Sequence, residues 1–395
     1  MVNRDMKRIA FVVQRYGIEV NGGAELHCRQ LAEHMSDRYE TEIITTKAID
    51  YVTWQDEYEH DVEIINGLTV RRFSVNEPRN NKEFNKLSEK VLQCNSSKEE
   101  EELWMKKQGP YSEDLIHFLR EHKKDYDVFI FFTYLYYTTY FGLKEVFDKA
   151  ILIPTAHDET PIYLNIFNDM FKLPRGIFYN TKEEKQFVEQ KFHIRNITNN
   201  NGDGGVGVEV PGIVSANSFL QKYGIEEFIL YIGRIDEHKG CKEMFRYFSE
   251  YKKRNNNNVK LILMGKEVIE VPKSKDIISL GFVSDEDKFN GLAACKCLLL
   301  PSQFESLSMV VLEAMKVERP VLINGKCEVV KGHCVRSNGG LYYKDYYEFE
   351  GCLNYMLEHK EVCSIMGKNG AKYVDENYQW GIVTKKLSEL IEKIS

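Results

Sequence analysis

The chain reads as an α/β protein made of two parallel-sheet domains, and three observations predict this. Short apolar runs lead through a turn into a helical pattern near the start, at residues 8–35. The same strand–loop–helix order begins afresh at Phe228-Ile-Leu-Tyr-Ile-Gly-Arg. At 395 residues, the chain is also long for a single core.

In order, the apolar run Arg8–Gln14 is the first strand, followed by a loop holding Gly17, Asn21, Gly22 and Gly23. Ala24, Leu26, Leu31 and Met35 then recur at helical spacing. Further strands are expected at Glu42–Thr46, Leu68–Phe73, Val128–Phe132 and Ile151–Pro154. Asn80–Gln108 is polar and rich in Lys and Glu, with scattered Leu, Val and Trp, so it reads as outer helices or a mobile excursion, a lid on the acceptor side. Helical Lys182–Phe192 precedes Asn199-Asn-Asn-Gly-Asp-Gly-Gly, a loop composition. Gly207–Gly212 ends in a proline–glycine break, which puts the linker near residues 211–225 and the domains at 1–210 and 211–375. The second half alternates again, with strands at Phe228–Ile232, Lys260–Met264, Ile277–Leu280, Leu298–Leu300 and Pro320–Ile323. Tyr378–Ile394 is amphipathic, presenting Ile382, Leu387, Leu390, Ile391 and Ile394.

Composition bounds the function classes. A net charge of -7 argues against nucleic acid as a partner, which requires a clustered basic surface. The lysines at 82, 86, 90, 106 and 107 are interleaved with acids, a solvated face that leaves peripheral membrane contact open. No apolar run approaches the length of a membrane span, and Met1–Arg8 does not read as a signal peptide. Nine cysteines, with Cys295-Lys-Cys297 straddling alternate positions of an apparent strand, fit a reducing cytoplasm.

The chemistry concentrates at 298–313, where a buried strand ends at Pro301-Ser302 and a helix is expected to open near Ser306, with Ser306 and Ser308 offering cap oxygens. A helix N-terminus at the carboxyl end of a parallel strand is a ready phosphate site. Glu305 and Glu313, roughly 12 Å apart at helical rise, could each accept hydroxyl hydrogen bonds across a nucleotide sugar. The plainer alternative is that Glu305 favours the helix N-terminus and Glu313 is solvated. Gly233-Arg-Ile-Asp-Glu-His-Lys-Gly240 follows a strand directly, so Arg234 and Lys239 can converge on a diphosphate, or form a surface charge pair. His157-Asp158-Glu159 also follows a strand, and His157 is a candidate contact to a reacting sugar, while Asp158 could cap a turn. Asp125-Tyr-Asp127 and Asp285-Glu-Asp287 match a loose acidic metal signature but lie before a strand and at a helix start, so both read as structural.

Together these residues resemble family 4 retaining glycosyltransferases of the GT-B fold, two Rossmann-like domains facing each other across a cleft. The landmarks are Gly22-Gly23-Ala24-Glu25, His157-Asp158, Val210-Pro211-Gly212, Gly233-Arg234 with Lys239-Gly240, Gly281-Phe282-Val283, and Glu305 with Glu313. The resemblance implies that Arg234 and Lys239 bind the donor diphosphate, Glu313 the ribose, and Glu305 the donor sugar. It places Gly22 and Gly23 near the phosphates or sugar, Phe282 and Val283 beside the base, and Ser306 and Leu307 in the donor site. It further implies that residues from about 376 onward pack on the first, acceptor-binding domain, and that the second binds the nucleotide sugar. Ser306 stands where the family often has Gly, and Gly212 where it has Asn; neither departure removes a charge. The expected activity is transfer of a hexosyl unit from a UDP- or GDP-linked sugar to a hydroxyl acceptor with retention, in glycan, polysaccharide or glycolipid assembly. No metal or other cofactor is expected, and the setting is the cytoplasm. A nucleotide-sugar epimerase on the same fold, or a non-catalytic sugar-nucleotide-binding protein, remain alternatives.

Overall fold

A computed structural model describes residues 6–20, 22–93, 96–194 and 201–395, with backbone alone at Asn201. Met1–Asp5, Asn21 and Asn199-Asn200 of the expected loop lie outside the described residues. The chain divides into two compact units, Met1–Val206 with Trp380–Ser395, and Gly207–Gln379.

The first unit carries eight described strands: β1 Arg8–Val12, β2 Glu40–Thr46, β3 Val62–Ile65, β4 Leu68–Phe73, β5 Val128–Phe132, β6 Ala150–Ile153, β7 Gly176–Tyr179 and β8 Asn201–Asp203. Their order in one sheet is β3-β4-β2-β1-β5-β6-β7-β8. All pairs are parallel except the β3–β4 hairpin. Every residue of β5, β6 and β7 is buried, as continuous Phe, Ile and Leu runs require when helices cover both faces. Residues 201–203, expected within a loop, instead form the edge strand β8 against β7. There the ladder overrides the turn preference of Asn, Gly and Asp.

The segment expected as outer helices or a mobile excursion is two packed helices, Asn81–Leu92 and Lys98–Gln108. Asn80 caps the first, and Ser97 with Glu100 forms a capping box on the second. Val91, Trp104 and Met105 enter the core. The buried Glu101 carboxylate accepts the Ile166 N–H at 2.8 Å and the Asn165 side-chain amide at 3.0 Å, so its burial is offset by fixed donors. The C-terminal helix Trp380–Ile394 belongs to this unit. It buries Val383, Leu387, Leu390 and Ile391, and Trp380 stacks on His34 with ring centroids 4.2 Å apart. Ile382, expected on that face, is only half-buried, and Val383 takes the inward position.

The second unit has β9 Phe228–Ile232, β10 Lys260–Met264, β11 Ile277–Ser279, β12 Leu298–Leu300, β13 Val321–Asn324 and β14 Gly340–Tyr343. Their order is β11-β10-β9-β12-β13-β14, with every pair parallel. The order reverses between β9 and β12, and in the first unit between β1 and β5. In open α/β sheets the carboxyl edge at such a reversal is where ligands bind. Cys295 and Cys297 are buried, but Cys295 ends the helix Asp285–Ala294 and Cys297 precedes β12, so they are not alternate positions of one strand.

Candidate functional site

At the carboxyl end of β9 the backbone turns sharply through Gly233–Gly240. The Tyr231 hydroxyl donates to the Arg234 carbonyl at 2.7 Å, fixing the turn from below. Asp236, 4% exposed, accepts the Lys239 N–H at 2.8 Å and the Arg234 guanidinium Nε–H. This carboxylate holds the Arg234 guanidinium and the backbone at Lys239, and its short spacing from the two residues, two after Arg234 and three before Lys239, was the available sequence signal. Gly240 has φ +78°, and a Cβ there would lie 2.6 Å from the Pro301 carbonyl oxygen, so the turn after β9 packs directly on the turn after β12.

That contact brings Lys239 Nζ within 2.8 Å of Glu305 Oε1. Glu313 is paired separately, to Lys288 Nζ at 3.0 Å, and Lys288 also reaches Asp285 at 3.1 Å. Burial pulls the Lys288 ammonium down, but Glu313 and Asp285 outweigh it and hold the pKa above the usual lysine value. The structure thus gathers Arg234, Lys239, Glu305 and Glu313 on one unit, with Asp236 and Lys288 as partners that sequence reasoning missed.

The expected helix start needs correction. The helix runs Met309–Lys316, and its N-cap is Ser308 at φ +68°, with no side-chain cap bond. The Ser308 carbonyl instead accepts the Val311 N–H at 3.1 Å, and the buried Ser308 hydroxyl makes no hydrogen bond. Ser306 therefore lies in the loop, half-buried, and does not open the helix. Glu305 is four residues before the first helical residue, so helical rise does not measure its separation from Glu313. Leu307 is buried, and its carbonyl accepts Nε2–H of His333 at 3.0 Å. At Gly281-Phe282-Val283, Gly281 has φ +68° and its carbonyl takes the Gly265 N–H at 2.7 Å, leaving Phe282 77% exposed and Val283 half-buried.

The two acidic patterns have protein partners. Asp127 accepts the Arg8 N–H at 2.8 Å, and Asp125 meets His122 at 2.6 Å. Asp287 pairs with Lys222 at 2.7 Å in the first turn of a helix capped by Ser284.

Gly22, Gly23 and His157 lie on the first unit. Gly22 is the N-cap of the helix Gly23–Met35 in extended backbone, φ -175°, so its glycine is not there for left-handed geometry. It is there for space: a Cβ would sit 2.1 Å from Glu25 Oε2. Glu25 is buried beneath it, accepting Arg15 Nε–H at 2.6 Å and the Gln14 side-chain amide at 2.9 Å. A Cβ at Gly23 would meet nothing within 4 Å.

His157 follows β6, and its Nε2 lies 3.8 Å from Glu159, which accepts the Tyr134 hydroxyl at 2.7 Å. Asp158 accepts the Tyr163 hydroxyl at 2.6 Å. The loop is anchored by Glu184, 1% exposed, whose two oxygens take the Ala156 and Asn180 N–H groups at 2.5 Å each. Burial pushes that carboxyl up to about 8, against backbone donors at Asn180, Ala156 and Thr181. Thr133 after β5, Thr155 after β6 and Ser308 after β12 have φ of 67°, 49° and 68°. Each conformation costs about 1–3 kcal/mol in a non-glycine residue, and such strain clusters at ligand sites.

Comparison with known proteins fits this geometry. Residues 217–373 match the family model described as Glycosyl transferases group 1. An uncharacterized glycosyltransferase from Methanocaldococcus jannaschii is 25% identical over 185 residues, 43% of this chain and 46% of the relative. Alpha-D-kanosaminyltransferase from Streptomyces kanamyceticus is 22% identical over 190 residues, 44% of this chain and 48% of the relative. The matches thus span about half the length of these curated relatives. Among solved structures, sucrose-phosphate synthase from Thermosynechococcus elongatus aligns with a TM-score of 0.71 at 14% identity, covering 98% of this chain and 99% of that one. HepE from Anabaena, in complex with UDP and glucose, aligns at 0.69 and 13% identity, covering 98% and 100%. The likeness over nearly the whole chain shows the fold, two α/β parallel-sheet domains of the GT-B class.

Proposed function

We propose that this protein is a retaining, family 4 glycosyltransferase, moving a hexosyl unit from a UDP- or GDP-linked sugar to a hydroxyl acceptor in glycan, polysaccharide or glycolipid assembly. The observation that carries the reading is the Lys239–Glu305 pair at 2.8 Å where the sheet order reverses. It joins a cation suited to a diphosphate to a carboxylate suited to sugar hydroxyls. The bond to be broken in a nucleotide sugar lies between those two parts of the molecule. The match to group 1 glycosyl transferases falls on this same unit, which supports the assignment.

In this reading Arg234 and Lys239 hold the diphosphate and stabilise the charge that grows on it as the anomeric carbon–oxygen bond breaks. Asp236 holds the Arg234 guanidinium and the Lys239 backbone N–H, so the turn that carries both cations is fixed before the reaction. Glu313 accepts hydroxyl hydrogen bonds from the ribose, and Phe282 with Val283 borders the base. The displacement is front-face: the departing phosphate oxygen takes the acceptor hydroxyl proton as the acceptor oxygen bonds the anomeric carbon on the face the phosphate leaves. Gly22 and Gly23 are assigned to the donor phosphates or sugar and His157 to the reacting sugar, the first unit binds the acceptor, and the reaction proceeds without a divalent metal.

Incubation with UDP- and GDP-hexoses tests the assignment. Slow release of the nucleoside diphosphate, accelerated by a hydroxyl acceptor, is expected. A new sugar epimer with the nucleotide intact would make the protein an epimerase, and binding without turnover would make it a sensor.

A further inference from the structure

We propose that His333 is a positioning residue of the donor loop, holding Glu305–Ser308 in place through the Leu307 carbonyl; this rests on the donor-site reading above. His333 lies on the helix Glu328–Ser337 and is 0% exposed. Its Nε2 is 3.0 Å from the Leu307 carbonyl oxygen and its Nδ1 3.0 Å from the Tyr373 hydroxyl. A carbonyl can only accept, so the proton is on Nε2, and Nδ1 must accept from Tyr373. Burial, reinforced by Arg336, pushes the imidazole down to about 3 and keeps it neutral, as this arrangement demands.

The Tyr373 oxygen in turn meets Arg336 Nε–H at 3.2 Å and the Tyr378 hydroxyl at 3.3 Å, so every polar atom of the relay has a directional partner. Tyr378 is tied by its own carbonyl to the Val208 N–H at 2.8 Å, and these two residues lie beside the points where the chain enters and leaves this unit. The receiving end of the relay is the strained part of the loop. Leu307 immediately precedes Ser308, a non-glycine residue at φ +68° whose hydroxyl is buried without a hydrogen bond and so does not hold it there. A left-handed serine persists only where its surroundings fix it. The His333–Leu307 bond is a fixed contact on its N-terminal side, and Glu305 lies two residues earlier on the same loop.

The test compares His333→Leu with His333→Gln, whose amide reaches the Nε2 position and can still donate to Leu307. Tyr373→Phe is a third variant that keeps His333 and removes the donor to Nδ1, together with the oxygen that meets Arg336 and Tyr378. UDP and GDP binding is measured by calorimetry, and donor turnover by nucleoside diphosphate release, after circular dichroism establishes that each variant is folded. His333→Leu is expected to lose about tenfold in kcat/KM for the sugar nucleotide, the scale of one buried acceptor left unpaired, while His333→Gln stays within about threefold of wild type. Tyr373→Phe is expected to fall between them. Equal activity in His333→Leu and wild type, or equal losses in His333→Leu and His333→Gln, would overturn the positioning role while leaving the donor site standing. Wild-type protein that binds neither UDP nor GDP would overturn both.

Discussion

Replacing Lys239 by alanine separates the two tasks its ammonium could have. In the structure it neutralises Glu305 at 2.8 Å, with the lysine side chain 36% exposed and the glutamate 14%. A pair with one partner this accessible contributes at most about 1 kcal/mol to stability, because water screens it. If neutralising Glu305 were its whole purpose, Lys239→Ala would remain folded and lose little activity, and adding Glu305→Gln would restore what was lost. A preorganised cation at a leaving diphosphate is a different matter, since removing one such contact costs about 2.7–4 kcal/mol of barrier, a factor of about 100–1,000 in turnover. The assay is single-turnover release of nucleoside diphosphate from the sugar nucleotide, at donor concentrations that saturate the variant. The expected result is a loss of at least about a hundredfold that Glu305→Gln does not reverse. Near-wild-type turnover, or recovery in the double variant, would refute the diphosphate assignment for Lys239.

Three further outcomes follow from the same geometry. Glu313→Gln is expected to weaken free nucleoside diphosphate and intact donor alike, whereas Glu305→Gln weakens mainly the intact donor; isothermal titration with both ligands decides it, and equal losses in both variants would contradict the division. Glu184, raised from 4.5 to about 8 by burial, retains a proton in the folded state that the unfolded chain has released, so its contribution to stability is full below about pH 4.5 and is lost as pH rises through about 8. Urea midpoints at pH 5, 6.5 and 8 are expected to show wild type losing ground to Glu184→Gln as pH rises, and parallel profiles would count against it. Turnover is expected to persist in excess EDTA and in Asp127→Asn and Asp285→Asn, while abolition by EDTA with rescue by magnesium or manganese would overturn the metal-free chemistry.

The parts of the fold legible in sequence were those with an unambiguous local pattern. The runs at β5, β9 and β12 are apolar throughout because both sheet faces are covered, and they stand where the sequence puts them. The hairpin partner β3 was missed, although Asn66-Gly67, both at positive φ, is the turn signal that would have found it. β8 could not be read at all, because Asn, Gly and Asp form a strand there only by pairing with β7. The chain crosses between units after Val206, a few residues before the Pro211 break, and again after Gln379, and within the second unit Val208 N–H donates to the Tyr378 carbonyl.

At the site, charged residues directly after strands were legible, since Arg234, Lys239 and Glu305 stand at carboxyl edges by sequence alone. Their partners were not. Lys288 reaches Glu313 from a neighbouring helix, Glu184 reaches Ala156 across 28 residues, and His333 reaches Leu307 across 26. Long-range pairs of this kind carry no periodic signal in one sequence. The helix start was misplaced because Ser306 and Ser308 have the right chemistry for a cap, yet Ser308 adopts a left-handed backbone and turns the helix with its carbonyl.

A crystal structure of the protein with UDP or GDP shows whether a nucleoside diphosphate binds at the carboxyl edge between β9 and β12. The diphosphate is expected against Arg234 and Lys239, the ribose hydroxyls on Glu313, and the base beside Phe282 and Val283, with Lys239 drawn from Glu305 toward phosphate. Nucleotide bound away from this edge, or Lys239 and Glu305 paired as in the free protein with phosphate touching neither cation, would contradict it.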